Sequence, residues 1–424
     1  MVVADDCKYT PCKGSSQDRS PGRYAGLLAV MLAGSVIVMG LVGCAASQTQ
    51  TSGESRQAVE AYARELPSLY RNSPEAQALR GVLENQAVTR GSDTLRFSVD
   101  LRWDDAVPMP EAGYPVYLSL HAGGAFTTAE NDEQWQIQQG RYPAVRGLLV
   151  CPRAARDTWD QWHHEHLVEM IDTLVRALVL RGDVDANRIY LTGYCSGGNG
   201  VYQLAPILAD RWAAASATKG ISEGAPLDNL RNCPIDLQWG QADPDPIARP
   251  AHNRANVDAL YALHAGDRAG YTFREIEHWR QGRFVNDKST IAWLSRFERN
   301  PYPARIIWVQ NGPARTTSNP VRHQFYWLAV DESYARDGSG PDRIDAIFNR
   351  TTNTVALEVV GYEHVRVRLN DTMLDLDTPV KIVVNGKVAF QGRVERSLET
   401  MARTMSECGD VNYAFPVEVR VEVK

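Results

Sequence analysis

The residues with the clearest potential for chemistry form a glycine-rich turn around a cysteine, Gly193-Tyr194-Cys195-Ser196-Gly197-Gly198. An apolar run precedes this turn and a helical pattern follows it, which is the context of a nucleophile elbow, Gly-x-nucleophile-x-Gly. The residues two positions before and after the nucleophile must lack bulk because the turn is sharp. For Cys195 both of these neighbours are glycines, whereas for Ser196 one of them would be Tyr194. The spacing therefore predicts Cys195 as the nucleophile.

A helix that begins directly after Cys195 would place its N-terminal amides and the positive end of its dipole near the sulfur. This arrangement favours the thiolate, which is the reactive form of a cysteine. The alternative is a glycine-rich turn that contains a buried structural cysteine.

Donors for a developing oxyanion would come from a second turn, His121-Ala122-Gly123-Gly124, which follows the apolar run at residues 116–120. This turn has the form of an HGGG-type loop. We assign the donors to the backbone amide of Gly123 or Gly124 and to that of Ser196, the residue after the nucleophile.

A general base and an acid should follow the elbow along the chain. Five histidines lie downstream: His252, His264, His278, His323 and His364. We predict His278, because it follows a strand-like segment at residues 271–275. For the acid we predict Asp243, which follows the strand at residues 235–240 with Gly-x-x-Asp spacing. Asp245 is an alternative, and Asp236, inside the strand, is a less favoured one.

A histidine-rich segment, Trp159-Asp160-Gln161-Trp162-His163-His164-Glu165-His166, is the second candidate feature. His163 and His166 are three residues apart and could face one way on a helix. The zinc motif HExxH is absent because Val168 stands at its last position. We predict a polar helix start at the mouth of a substrate pocket, with Trp159, Trp162, His163 and Tyr194 as pocket residues. A solvated helix N-terminus and a zinc site are the alternatives, and we predict no metal.

Apolar strands alternate with helical segments from residue 91 to residue 300. Alternating polar and apolar residues predict a half-exposed strand at 95–103, and apolar runs predict strands at 116–120, 147–150 and 188–192. Helices are predicted at 167–180 and 201–212. This order is typical of an α/β fold with a mostly parallel sheet and helices on both faces.

The two ends of the chain have different patterns. Residues 301–424 predict a smaller, mainly β region, with strands at 355–359, 364–369, 380–384 and 417–423 and a hairpin turn at Asn385-Gly386. Residues 55–88 predict helix, with breaks at Pro67 and Pro74.

The first 43 residues have the parts of an export signal. Basic residues precede an uncharged stretch at 24–43, which ends in Leu41-Val42-Gly43-Cys44. This ending resembles a bacterial lipobox, in which the cysteine is lipidated. We predict a signal peptide at 1–43, lipidation of Cys44, and a membrane-anchored protein of the cell envelope. An uncleaved membrane helix is the alternative. The polar residues that follow predict a flexible tether.

The overall composition excludes several classes of protein. The chain has 424 residues, and its 45 basic and 51 acidic residues give a net charge of −6. A chain with this charge lacks the excess of basic residues that is typical of nucleic-acid-binding proteins. No CxxC pair exists, and the cysteines beyond the signal are too widely spaced for a disulfide framework: Cys151, Cys195, Cys233 and Cys408. We predict no cofactor and no nucleic-acid partner.

The segment at 187–194 before the elbow resembles α/β-hydrolase esterases of the polyhydroxybutyrate-depolymerase and prolyl-oligopeptidase-like groups. Its continuation at 197–214 is similar to bacterial secreted members of that superfamily, and the likeness covers about residues 90–300. Most of those relatives have serine where this chain has Cys195, whereas dienelactone hydrolases are similar in having a Cys-His-Asp triad on the same fold. The resemblance implies an α/β-hydrolase fold and an acyl substrate.

Together these features predict four segments: a signal at 1–43, a tether and helical segment at 44–90, an α/β-hydrolase domain at 91–300 and a mainly β domain at 301–424. The predicted activity is hydrolysis of ester or lactone bonds through a thioacyl-enzyme. The rival hypothesis is a degenerate hydrolase that acts as a binding or scaffold module. A peptidase is disfavoured because the sequence shows no propeller that could gate a substrate.

Overall fold

An eight-stranded sheet forms the centre of the computed structural model, which describes residues 53–164, 166–221, 224–240, 249–278, 287–310, 322–331 and 342–423. Its strands along the chain are β1 (Ala87–Arg90), β2 (Asp93–Arg102), β3 (Tyr114–Leu120), β4 (Gly147–Arg153), β5 (Val184–Tyr194), β6 (Ala214–Thr218), β7 (Ile235–Gly240) and β8 (Phe273–His278).

The strand order in this sheet is β1-β2-β4-β3-β5-β6-β7-β8. The six strands β4, β3, β5, β6, β7 and β8 are parallel to one another, whereas β2 is antiparallel to both β1 and β4. Parallel neighbours need long crossover connections, which place helices on the faces of the sheet. The predicted mostly parallel sheet with helices on its faces is therefore confirmed.

Helices cover both faces of the sheet. Ile189 and Leu191 of β5 join one hydrophobic cluster with the helices on one face, whereas Tyr190 joins a second cluster on the other face. This alternation follows from the two-residue period of a strand. The helices of this part of the chain are α1 (Arg56–Arg71), α2 (Pro74–Asn85), α3 (Thr128–Gly140), α4 (Leu167–Leu180), α5 (Ser196–Ile207), α6 (Arg249–Gly266) and α7 (Asp287–Leu294).

Two helix predictions needed correction. Pro67 does not end α1, because the packing of Leu66 and Tyr70 on either side of it into a buried cluster holds the helix together. Pro74 does start α2, at the first helical position, where its missing N–H costs no hydrogen bond. Helix α5 begins five residues earlier than predicted, because close packing of its glycines overrides their low helix propensity.

The C-terminal region is mainly β, as predicted. It contains a five-stranded sheet of order β16-β15-β13-β12-β9 and a four-stranded sheet of order β10-β11-β14-β17. The strands are β9 (Arg305–Gln310), β10 (Gln324–Phe325), β11 (Leu328–Ala329), β12 (Asp342–Asn349), β13 (Thr354–Val360), β14 (His364–Leu369), β15 (Val380–Val384), β16 (Lys387–Gly392) and β17 (Val417–Glu422). Helix α8 (Leu398–Cys408), which the sequence analysis missed, lies between β16 and β17.

The predicted hairpin joins β15 to β16 at Asn385-Gly386. Both residues have positive φ angles, 49° and 76°, which is the requirement of a type I′ turn. The carboxamide of Asn385 also bonds both backbone groups of Val359: it accepts from the N–H at 2.8 Å and donates to the carbonyl at 3.1 Å. The turn is thereby tied to the neighbouring strand β13.

The N-terminal helices link the two regions of the chain. Helix α1 packs against α8, and α2 packs against α4, around a buried cluster that includes Leu66, Leu79 and Met401. At the entry to α1, the N–H of Glu54 donates to the carbonyl of Arg396 at 3.0 Å. These helices therefore connect the eight-stranded sheet to the C-terminal region through packing contacts.

The C-terminal region also contacts the eight-stranded region directly. The carboxamide of Asn229 accepts from the N–H of Val309 at 2.7 Å and donates to the carbonyl of the same residue at 3.0 Å. Arg299 is buried and donates to Asp410 at 2.6 Å, to Asn187 and to the carbonyl of Asp210. A buried guanidinium is stable only when such partners surround it.

Removing the carboxylate of Asp410 should destabilise the protein strongly. Asp410→Ala would leave the charge of Arg299 buried beside one partner fewer, and we expect a loss of about 3–5 kcal/mol in the free energy of unfolding. Glu60→Ala is the control, because its partner Arg56 is exposed and should cause no measurable change. Urea denaturation measures both, and equal effects would contradict the assignment.

Some predictions lie outside the described residues, namely those for Cys44, Asp243 and Asp245 and the signal peptide at 1–43. Among the helices that the structure describes, none is both long enough and apolar enough to cross a bilayer. The predicted domain boundaries stay predictions.

Candidate active site

The backbone at Cys195 has the strained conformation of a nucleophile elbow. Its φ and ψ are 58° and −118°, outside the regions that side-chain-bearing residues ordinarily adopt. Such strain costs of order 1–3 kcal/mol and persists only where the surroundings enforce it. Here the N–H of Cys195 donates to the carbonyl of Thr218 at 2.9 Å, at the end of β6, and α5 begins at the next residue.

The two glycines that flank Cys195 explain why the turn can form. A Cβ atom on Gly193 would overlap the carbonyl oxygen of Gly197, and one on Gly197 would overlap that of Leu120 at the end of β3. Both obstacles are backbone atoms, which cannot move aside as a side chain can. Thus β3, β5 and α5 meet at this point only because both positions lack a side chain.

Gly193→Ala should therefore disrupt the elbow. We expect the free energy of unfolding to fall by at least about 3 kcal/mol, since the overlap is with backbone. Gly81→Ala is the matched control, because a Cβ at this position in α2 meets nothing within 4 Å. It should stabilise the protein by roughly 0.5–1 kcal/mol. A mild loss at Gly193 in urea denaturation would contradict the steric argument.

Four cysteines fall within the described residues, and none of them forms a disulfide. Burial raises the pKa of the Cys151 thiol to about 12 and that of Cys408 to about 11, and it also raises the pKa of Cys233. These three thiols are therefore protonated and unreactive at neutral pH. Cys195 differs, because it lies at the N-terminus of α5, where the helix dipole favours the thiolate.

The structure corrects the predicted set of oxyanion donors at one residue, Gly124. The N–H of Gly124 already donates to the Oδ1 of Asn131 at 3.0 Å, and the Asn131 amide donates back to the carbonyl of Gly124. In this conformation Gly124 is therefore not available as a donor, which leaves Gly123 as the candidate from this loop. The N–H of Ser196 is a first-turn amide of α5, and a helix leaves such amides without an intrahelical acceptor.

His121 fixes the shape of this loop. It is fully buried, its Nε2 accepts from the N–H of Ala154 at 3.0 Å, and its Nδ1 donates to the carbonyl of Ala122. Burial lowers its pKa to about 4, so the imidazole is neutral at pH 7. Only the neutral ring can accept at Nε2. The side chain thus has a structural role beside the proposed donors.

His278 lies at the same edge of the sheet as the elbow. It is the last residue of β8 and not part of a following loop, because pairing with β7 continues to Gly240 opposite it. Its Nε2 lies 3.5 Å from the Oε1 of Gln238. Burial lowers its pKa, and the positive charge of Lys219 adds to this effect against the opposing charge of Asp236. A neutral imidazole at pH 7 can act as a base.

Asp236, the less favoured acid, has a structural role. It is fully buried in β7 and accepts two hydrogen bonds from Arg274, at 2.7 and 2.8 Å. It also accepts from Gln238 at 2.7 Å. The side-chain N–H of Gln238 bonds to Asp236, so the side-chain oxygen of Gln238 is turned towards His278. This oxygen orients the imidazole. This role of Gln238 could not be predicted from the sequence, since only the pairing of β7 with β8 reveals it.

Two basic residues at this edge were also missed. Lys219 follows β6 with a φ of 57°, and its N–H donates to the carbonyl of Gln238 at 2.7 Å. Its Nζ lies 5.9 Å from the ring centre of Tyr194, and the guanidinium carbon of Arg141 lies 4.3 Å from the same ring. The ring of Tyr194 in turn contacts Cys195. No local sequence pattern signals this arrangement, because the residues come from three separate segments.

The histidine-rich segment precedes α4 and is not itself helical, so His163 and His166 do not share a helix face. Trp159 is 47% exposed and stacks edge-to-face on His163, which is buried and whose pKa burial lowers to about 4. Trp162 is 1% exposed and donates to the carbonyl of His121. Trp162 is thus a core residue and offers no surface to a substrate, whereas Trp159 does.

Another residue of this segment contacts the elbow. The amide of Gln161 donates to the hydroxyl of Ser196 at 2.7 Å, and both residues are buried.

Within the described part of the chain, no group of three or more His, Cys, Asp or Glu side chains could hold a metal ion.

The charge of Lys219 should be measurable at His278. In Lys219→Gln the pKa of His278 should rise, because a nearby positive charge disfavours the imidazolium ion. NMR titration of ¹³C-histidine-labelled protein measures this pKa, with His278→Gln for assignment. Lys387→Gln, an exposed lysine of β16, is the control and should cause no shift. A fall in the pKa in Lys219→Gln would refute the proposed proximity.

Several solved structures are similar to part of this chain at low sequence identity. No family model matches the chain, and no curated protein matches it. A thermostable esterase of known structure is similar at 19% identity and a TM-score of 0.40, over 51% of this chain and 64% of the esterase. The BES protein from Bacillus cereus is similar at 12% identity and a TM-score of 0.36, over 50% and 93% of the two chains.

A third similar structure is the fluorophosphonate-binding serine hydrolase F of Staphylococcus aureus, at 12% identity and a TM-score of 0.35, over 49% and 96% of the two chains. In each case the likeness covers about half of this chain or less. Its level is too low to carry an argument about activity.

Proposed function

We propose that this protein hydrolyses ester or lactone bonds, with Cys195 as the nucleophile. The observation that carries the proposal is the strained backbone of Cys195 at the junction of β5 and α5. An unfavourable φ/ψ pair at a buried turn needs several enforcing contacts, and such strain concentrates at functional positions. The helix dipole and the first-turn amides of α5 are both directed at the same place.

The proposed reaction has two steps. In the first, His278 accepts the proton of Cys195, the sulfur attacks the carbonyl carbon, and the amides of Ser196 and Gly123 bind the oxyanion. The C–O bond then breaks, and the imidazolium returns its proton to the leaving alcohol. In the second, His278 removes a proton from water as the water attacks the thioester carbonyl, the C–S bond breaks, the acid leaves, and the imidazolium returns its proton to the sulfur. Asp243 is the proposed acid partner of His278.

Localisation is part of the proposal. Lipidation of Cys44 after removal of residues 1–43 would hold the enzyme on the cell envelope, where an acyl substrate would reach it. The support is the uncharged stretch that ends at this cysteine, followed by a polar tether.

Substitutions in the purified protein test the activity. Hydrolysis of 4-nitrophenyl butyrate should fall by at least about 10³-fold in Cys195→Ala and at least about 10²-fold in His278→Ala. Iodoacetamide should label Cys195 and leave the three thiols with raised pKa values unlabelled. Cys233→Ser is the control, because this thiol precedes the amino end of β7, at the opposite edge of the sheet from Cys195, and should not affect turnover.

The competing hypothesis is a binding module without catalysis. Its support is that Cys195 is only 6% exposed in this conformation. An inert thiol and no turnover in the wild type would favour this second function. Turnover that survives in Cys195→Ala would contradict the assigned nucleophile.

A further inference from the structure

We infer that Arg141 and Lys219 bind a carboxylate of the substrate beside Cys195, so that the preferred substrates are esters whose acyl part is negatively charged. This inference rests on the proposed hydrolysis and names the substrate class. The two basic side chains lie on the ring of Tyr194, which contacts the nucleophile.

Arg141 is held in place and lacks a counter-charge among the described residues. It caps the C-terminal end of α3, and its carbonyl accepts from Arg102 at 3.1 Å. Its guanidinium stacks on Tyr194, with the guanidinium carbon 4.3 Å from the ring centre. Stacking occupies the face of the guanidinium and leaves its N–H edge for an acceptor.

One atom of this guanidinium is an unsatisfied donor. In the part of the chain that the structure describes, the Nε of Arg141 is buried and has no hydrogen-bond partner. No carboxylate there forms an ion pair with it, although most buried arginines of this protein have one. A buried donor without an acceptor is costly, and a carboxylate satisfies an arginine edge with two parallel bonds. The observed state is therefore that of a site prepared for an anion.

Lys219 places a second positive charge on the side towards His278. Its Nζ lies 5.9 Å from the ring of Tyr194, and its charge contributes to the lowered pKa of His278. The position is enforced, because the backbone of Lys219 has a left-handed φ of 57° and bonds to β7. The two cations thus both lie near the ring of Tyr194, next to the proposed nucleophile. A carboxylate is attracted to both charges, whereas a neutral acyl chain is not.

Two esters of equal acyl length test the inference: the mono-4-nitrophenyl ester of glutaric acid, which is an anion, and 4-nitrophenyl pentanoate, which is neutral. The wild type should prefer the anion by at least about tenfold in kcat/KM, the size expected of one charged hydrogen bond. Arg141→Gln and Lys219→Gln should each lower this ratio by at least about fivefold. Added salt should lower the wild-type ratio as well.

Arg146→Gln is the matched control, because it removes the same charge from an exposed arginine five residues away. It should leave the ratio unchanged. A wild type that hydrolyses the neutral ester through Cys195 without preferring the anion would overturn the carboxylate site and leave the proposed hydrolysis intact. An equal fall of the ratio in Arg141→Gln and Arg146→Gln would also overturn it.

Calorimetry separates this inference from a failure of the hydrolysis itself. If neither ester is turned over, monomethyl glutarate should still bind the wild type and bind Arg141→Gln at least about tenfold more weakly. Absence of binding to the wild type would overturn the carboxylate site.

Discussion

The rest of the proposed site depends on one constraint, the positive φ of Cys195. A residue with a side chain holds this conformation only when the strands and the helix around it permit no other. Here β5 ends and α5 begins within a single residue, and β6 fixes the amide of that residue through the carbonyl of Thr218. The glycines at 193 and 197 are the sequence requirement of this junction, because backbone atoms occupy the space of a Cβ.

Several titratable side chains of the described residues lie at the carboxyl edge of the sheet. His121 is neutral because it is buried, and the pKa of His278 is lowered by burial and by Lys219. The carboxylate of Asp236 is matched by Arg274. Arg141 and Lys219 both contribute positive potential near Tyr194, which would favour an anionic ligand there.

Much of the fold could be predicted from the sequence because buried parallel strands are continuous apolar runs. Strands β3, β5 and β7 were located in this way, and the hairpin at Asn385-Gly386 was predicted from turn chemistry alone. The position of Cys195 was predicted because glycine spacing is a local requirement. Helix α8 was missed, and the start of α5 was placed too late, because packing partners decided both.

The surroundings of the elbow could not be predicted for the same physical reason. Lys219 meets Gln238 only after β6 and β7 pair, and Arg141 reaches Tyr194 from the end of α3; nothing in their local sequences signals this. Gly124 was proposed as a donor because the sequence does not show that the side chain of Asn131, seven residues later, occupies its amide. Trp162 was placed at a pocket mouth, whereas its side chain fills the core.

Among the described residues, four asparagine carboxamides each bond both backbone groups of one residue: Asn131 those of Gly124, Asn229 those of Val309, Asn353 those of Asp375 and Asn385 those of Val359. Each carboxamide pairs with the backbone as a neighbouring strand would: its N–H donates to the carbonyl and its oxygen accepts from the N–H. Deamidation would replace the donor by a second acceptor and repel the carbonyl that it faces. Asparagine followed by glycine forms the succinimide most readily, because glycine does not hinder ring closure. Of the four, only Asn385 has glycine next to it. Among these four contacts, deamidation would therefore first break the one that ties the hairpin to β13.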